Sequence, residues 1–157
     1  MWQTIRRFTF RTDGTALIEF AIIAPLIFVI VLGVLDFGLL AFRQMEVQNA
    51  VQAGAEYAIQ FGYSSTSIST AVKNASPTFA GEGLSVTVNE FCGCPSSTGV
   101  TEISTGTCTA TSTCTGSTVV GNYVNISASA TYDTVVRYAH FKLGSYPLTA
   151  SATVRVP

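Results

Sequence analysis

Charge is scarce in this chain. Only 11% of its 157 residues are Asp, Glu, Lys or Arg, and the formal net charge is −1, so no basic patch points to nucleic acid. There is one histidine, His140, and hence no HExxH pair for a catalytic metal. A serine nucleophile between glycines, a phosphate-cradling glycine-rich loop with Lys, and a Cys-x-x-Cys redox pair are all absent. Glu82, Glu90, Glu102 and Asp133 are scattered without a matched partner. These absences argue against an enzyme, and no catalytic residue, cofactor, metal or small-molecule substrate is expected.

What the chain does have is one long apolar run. Between Thr15 and Leu35 the only charged residue is Glu19, and Asp36 follows. A bilayer core of ~30 Å needs about 20 apolar residues in a helix. Asp36 stands ~32 Å beyond Thr15 at ~1.5 Å per residue, which is expected to bring it to the far headgroups, within reach of water. Residues 16 to about 42 are therefore read as one transmembrane helix. The run is too long for the apolar core of a cleavable secretory signal, and helical sequence, not a cleavage site, follows it. Arg6, Arg7 and Arg11 precede the run, offset only by Asp13. Short flanks rich in Arg stay in the cytoplasm, so the rest of the chain is expected outside, in a bacterial periplasm or beyond. Trp2, Phe8 and Phe10 among the arginines suit a short interfacial segment.

An acid near the start of a membrane helix calls for a partner. Were the chain cut after Gly14, a new α-amine on Thr15 would stand about one helical turn from Glu19, and the acid of one subunit could meet the amine of its neighbour. Alternatively, Glu19 lies at headgroup level and complements the positive end of the helix dipole. Pro25 removes an N–H inside the helix and crowds the carbonyl of Ala21, so a mild kink is expected there.

The residues Gly14-Thr15-Ala16-Leu17-Ile18-Glu19-Phe20 after a basic leader resemble a type IV prepilin cleavage site. With Pro25, the Gly33-Val34-Leu35-Asp36-Phe37-Gly38 segment and the Asn49-to-Ala58 stretch, they resemble the TadE-like family, minor pseudopilins of the tight-adherence (Flp-type) pilus system. The resemblance covers about residues 14–60. It implies processing by a prepilin peptidase between Gly14 and Thr15, with Glu19 and Phe20 in peptidase recognition and assembly. It also implies partners among other pilins or Tad assembly proteins, and an inner-membrane location with possible incorporation into a pilus. The alternative is an uncleaved bitopic anchor whose external domain binds envelope partners.

Beyond the run the helix is expected to continue. Arg43 and Gln44 mark the headgroup boundary, and Val47, Ala50, Val51, Gly54, Ala58 and Phe61 recur at three- and four-residue intervals as one face, with Gly62 as the stop. Ala50, Gly54 and Ala58 permit close approach of another backbone, either the domain's own sheet or a neighbouring subunit. Ile68, Ala71, Val72 and Ala75 suggest a short second helix ended by Pro77.

Three strands are expected, at residues 84–90, 123–132 and 148–156. Between the last two lies an aromatic, mildly basic connection with Tyr138, His140, Phe141, Lys142 and Tyr146, expected to pack over the sheet's open edge or to rest on the membrane. Residues 95–118 hold 14 Ser or Thr in 24 positions with no apolar period, and read as a polar loop held by cysteines.

Cys92, Cys94, Cys108 and Cys114 all lie in the external part, and an even count in an oxidising compartment argues for disulfides. A bond between Cys92 and Cys94 would be strained. Each is expected to pair with one of the other two, in an order left open. A four-cysteine zinc site wants other spacings.

The expected fold is α+β, pilin-like, with a long N-terminal transmembrane helix packed on a small antiparallel sheet and one short extra helix. The expected segments are 1–14 cytoplasmic leader, 15–42 transmembrane helix, 43–76 helical continuation and short helix outside, and 77–157 disulfide-stapled β domain.

Overall fold

A computed structural model describes residues 13–79, 83–109, 111–114, 119–134 and 144–157. Arg6, Arg7, Arg11, Glu82, Tyr138, His140, Phe141 and Lys142 lie outside them. Among the described residues there are helices α1 (Asp13–Phe61) and α2 (Ser65–Ala75) and strands β1 (Ser85–Ser96), β2 (Gly99–Thr105), β3 (Gly121–Asp133) and β4 (Ser145–Val156). The fold is α+β, with both helices against one antiparallel sheet of strand order β2-β1-β3-β4.

Helix α1 runs without interruption through Pro25. It stops where Gly62 takes a φ of +78° and its N–H bonds to the Ala58 carbonyl at 3.0 Å, a left-handed cap that a side chain would strain. Helix α2 folds back beside α1 and ends before Pro77, which cannot continue it.

The core forms where the spacings meet. Val47, Ala50, Val51, Ala55 and Ala58 of α1 pack with Ile68 and Val72 of α2 against Val124, Ile126, Ala128, Ala130 and Tyr132 of β3. Alternate residues of a strand share a face, so one side of β3 supplies all five. The opposite side of the sheet is small and polar up to Asn89, beyond which Phe91 and Tyr123 stack with ring centres 5.8 Å apart. Ser85 pairs with Ser129, Thr87 with Ser127 and Asn89 with Asn125 between β1 and β3, and the ladder continues to Thr149, Ser151 and Thr153 on β4.

Three expectations are corrected and one open alternative is settled. Residues 95–118 are not one loop: β1 extends to Ser96 and turns at 97–98 into β2, giving four strands and not three. Backbone pairing with β1 holds this serine- and threonine-rich segment as a strand although it buries little, which is why no apolar period announces it. Phe61 is 69% exposed and its ring lies tilted against Tyr57 with centres 4.7 Å apart, because α1 has run past the apolar part of the sheet. Ala50, Gly54 and Ala58 serve the chain's own domain: a Cβ at Gly54 would run into Val72 and stand 3.6 Å from Ile126, so a neighbouring subunit does not occupy that stripe. Asp36, expected in water, is 6% exposed.

Candidate functional site

The chain's chemistry is distributed along α1, from the N-terminal acid to the disulfides. Gly14 and Thr15 stand at the N-terminal end of the described part of α1. Glu19 and Phe20, a turn further on, are exposed, as are Leu17, Ile18, Ile22, Leu26, Phe28, Val29, Ile30, Val34 and Leu35. Apolar side chains thus project all round this part of the helix. The span is long and apolar enough to cross a membrane, and none of its most apolar stretch is buried by the described residues.

Asp36 ends that stretch. The Tyr132 hydroxyl donates to Asp36 Oδ1 at 2.7 Å. Burial, then this hydrogen bond and the carboxylate's charge, push the Tyr132 hydroxyl above its ordinary value. The pair borders a cavity of about 180 Å³ lined by Gly33, Phe37, Leu40, Thr134 and Tyr146 as well. The sheet's lower end therefore reaches along α1 to the level of Gly33.

Two turns further, a second polar cluster holds the chain that follows α2. Glu46 accepts from Arg43 Nη1 at 3.0 Å, and from the Ser76 hydroxyl and the Thr78 N–H at 3.1 Å each. Burial pushes the Glu46 carboxyl up, but the hydrogen bonds from Arg43, Thr78 and Ser76 outweigh it and hold the group below its ordinary value. Arg43 also stands 5.9 Å from the Phe79 ring centre. On the other flank, Gln44 Nε2 donates to the Thr149 carbonyl at 2.8 Å. That carbonyl lies on the free edge of β4, and Pro147, two residues earlier, shares its outward orientation. Its missing N–H therefore breaks no ladder bond. Arg43, Gln44 and Glu46 thus seat the helix on its own domain.

At the far end, Cys92 bonds to Cys108 and Cys94 to Cys114, with Cα–Cα distances of 4.8 and 5.7 Å. This resolves the pairing the sequence left open, and it leaves none of the four sulfurs as a free thiolate to ligate zinc. The two β1 cysteines are alternate residues and so share a face. The segment after β2 crosses that face, where the Cys108 N–H donates to Asn122 Oδ1 at 2.7 Å. Among the described residues no group of three His, Cys, Asp or Glu could hold a metal ion.

The structure does not bring these sequence-predicted residues together. Glu19 and the level of the disulfides are ~60 Å apart along the helix. Sequence reasoning missed the roles of Asp36, Tyr132 and Glu46. Arg43 and Glu46, three apart on a helix, carried a local signal. The pairing of Asp36 with Tyr132 carried none.

The fold defines a small α+β domain borne on one helix long and apolar enough to cross a membrane. Residues 14–56, most of α1, match the family model described as TadE-like protein. The match ends before α2 and the sheet. No curated protein and no solved structure gives a significant match to the chain.

Proposed function

We propose that this chain is a minor pseudopilin acting in the assembly of a tight-adherence (Flp-type) pilus. In this reading a prepilin peptidase removes residues 1–14 by cutting between Gly14 and Thr15, recognising Gly14 and the Glu19-Phe20 pair. Residues 16 to about 42 cross the inner membrane, with the arginine-bearing leader in the cytoplasm and the sheet in the periplasm. Glu19 then meets the Thr15 amine of a neighbouring pilin or Tad assembly protein, and the role is structural and not catalytic. The observation that carries the reading is that the TadE-like match begins at Gly14, on a helix whose apolar surface at residues 17–35 is exposed among the described residues. The two disulfides support an oxidising compartment.

Mass spectrometry of the N-terminus in strains with and without an active prepilin peptidase tests it. A chain beginning at Thr15 only when the peptidase is active is the expected result. A chain beginning at Met1 in both strains overturns processing and leaves an uncleaved bitopic anchor. Glu19→Ala is expected to leave cleavage largely intact and to impair piliation; full piliation in that variant would remove the charge-pair role.

A further inference from the structure

We infer that the lower rim of the external domain, at Tyr146 and Pro147, sits in the lipid headgroup layer, with Phe37 and Phe42 of α1 covered by lipid at the same level. The inference rests on the reading of α1 as a membrane span.

From Ala16 to Gly33 the helix rises only ~26 Å. The hydrocarbon core of a bilayer is ~30 Å thick and reaches ~40–45 Å with its headgroup layers. Yet the domain already flanks the helix at Gly33, through the cavity that Gly33 shares with Tyr132, Thr134 and Tyr146. A bilayer that starts at Ala16 has not ended where the domain begins. Carried to Arg43, the same helix rises ~40 Å, which fits core plus headgroups. Arg43 is also the first charged residue after Asp36.

The surface of α1 over that interval points to the occupant. Phe37 is 72% exposed and Phe42 59%, and Leu39 and Met45 are exposed beside them. They continue the apolar surface of residues 17–35 without a break. Between Gly33 and Arg43 the one acid is Asp36, and it is turned inward onto Tyr132. A buried acid lets the outer surface stay apolar through a depth where an exposed carboxylate would seek water. On the domain side, the rim presents exposed Pro147 and the part-exposed Tyr146 ring. Tyrosine favours the headgroup level, where one end is wet and the other apolar.

The test uses the full chain in phosphatidylethanolamine/phosphatidylglycerol vesicles, with Trp2→Phe so that one introduced tryptophan reports depth. Phe42→Trp, Phe37→Trp and Tyr146→Trp are compared with Phe28→Trp in mid-span and Phe61→Trp at the far end of α1. Quenching is read with nitroxide labels on the lipid headgroup or in mid-chain. The expected result is deep-label quenching for Phe28→Trp and stronger headgroup-label quenching for Phe37→Trp, Phe42→Trp and Tyr146→Trp. Phe61→Trp should keep its fluorescence with both labels. If Phe28→Trp is quenched while Tyr146→Trp behaves like Phe61→Trp, the rim stands clear of the bilayer and the inference fails, with the membrane span intact. If Phe37→Trp and Phe42→Trp are shielded from both labels while Phe28→Trp is quenched, water or a second protein covers that face and the inference fails likewise. Loss of quenching at Phe28→Trp would instead overturn the membrane reading itself.

Discussion

The Tyr132 hydroxyl and Asp36 Oδ1 meet at 2.7 Å across 96 residues of sequence, tying the last turn of β3 pairing to the point where α1 leaves the domain. The bond joins the part of the chain that resembles a known family to the part that does not. Below the cavity at Gly33, the most apolar stretch of the helix is not buried by any of the described residues. Above it, Gln44 and Glu46 add their own ties to β4 and to the segment after α2.

Tyr132→Phe should destabilise the domain by about 1–3 kcal/mol, because a buried acid loses a hydrogen-bond donor. Asp36→Asn keeps an acceptor and should lose less. Equilibrium unfolding in detergent micelles measures both. Asp36→Ala should cost less in the Tyr132→Phe background than in the parent. Equal costs in the two backgrounds would show that the side chains are not coupled.

Glu46 makes a pH prediction whose sign follows from its environment. Its carboxyl is held below the ordinary 4.5, so the folded state binds that proton less readily than the unfolded chain. The stabilisation is present above pH 4.5 and is lost as pH falls through the lower folded value. Glu46→Gln should therefore be less stable than the parent near neutrality, and the gap should close on acidification. A gap that stays constant down the acid limb would mean that the Glu46 charge is irrelevant to the fold.

Gly54 lies where α1 and α2 come closest, and a Cβ there meets Val72 with Ile68 3.5 Å away. Gly54→Ala should cost about 1–3 kcal/mol through overpacking, and Gly54→Val should cost more. Val72→Ala, which opens space at that point, should partly rescue Gly54→Ala. Failure of the rescue would place the strain elsewhere.

Each disulfide closes a loop, with sequence separations of 16 for Cys92 to Cys108 and 20 for Cys94 to Cys114. Removing either pair as a double Ser variant should cost about 3 kcal/mol in the chain-entropy account. The loss should appear as a lower guanidinium midpoint. Non-reducing peptide mapping should recover these two linkages and no other; a peptide joining Cys92 to Cys114 would contradict the arrangement.

Local spacing was enough for the elements whose residues face one neighbour throughout. The long helix, its stop at Gly62, the Ile68 and Val72 face of α2, and the strands around Val124 and Leu148 repeat with the period of their own backbone, so a short window reveals them. The α+β arrangement followed from laying such a helix on such strands. The β2 strand escaped because the β1 backbone holds it and its side chains bury almost nothing. The order of the cysteines escaped because both β1 sulfurs point the same way, and only the path of the segment after β2 decides which partner each one meets. Asp36 was visible as a lone acid, but whether it faced water or protein depended on Tyr132, a residue 96 positions distant. Periodicity says which side of an element is apolar. Only the packed fold says what stands against a polar group, because that partner comes from a different element with no regular offset along the chain.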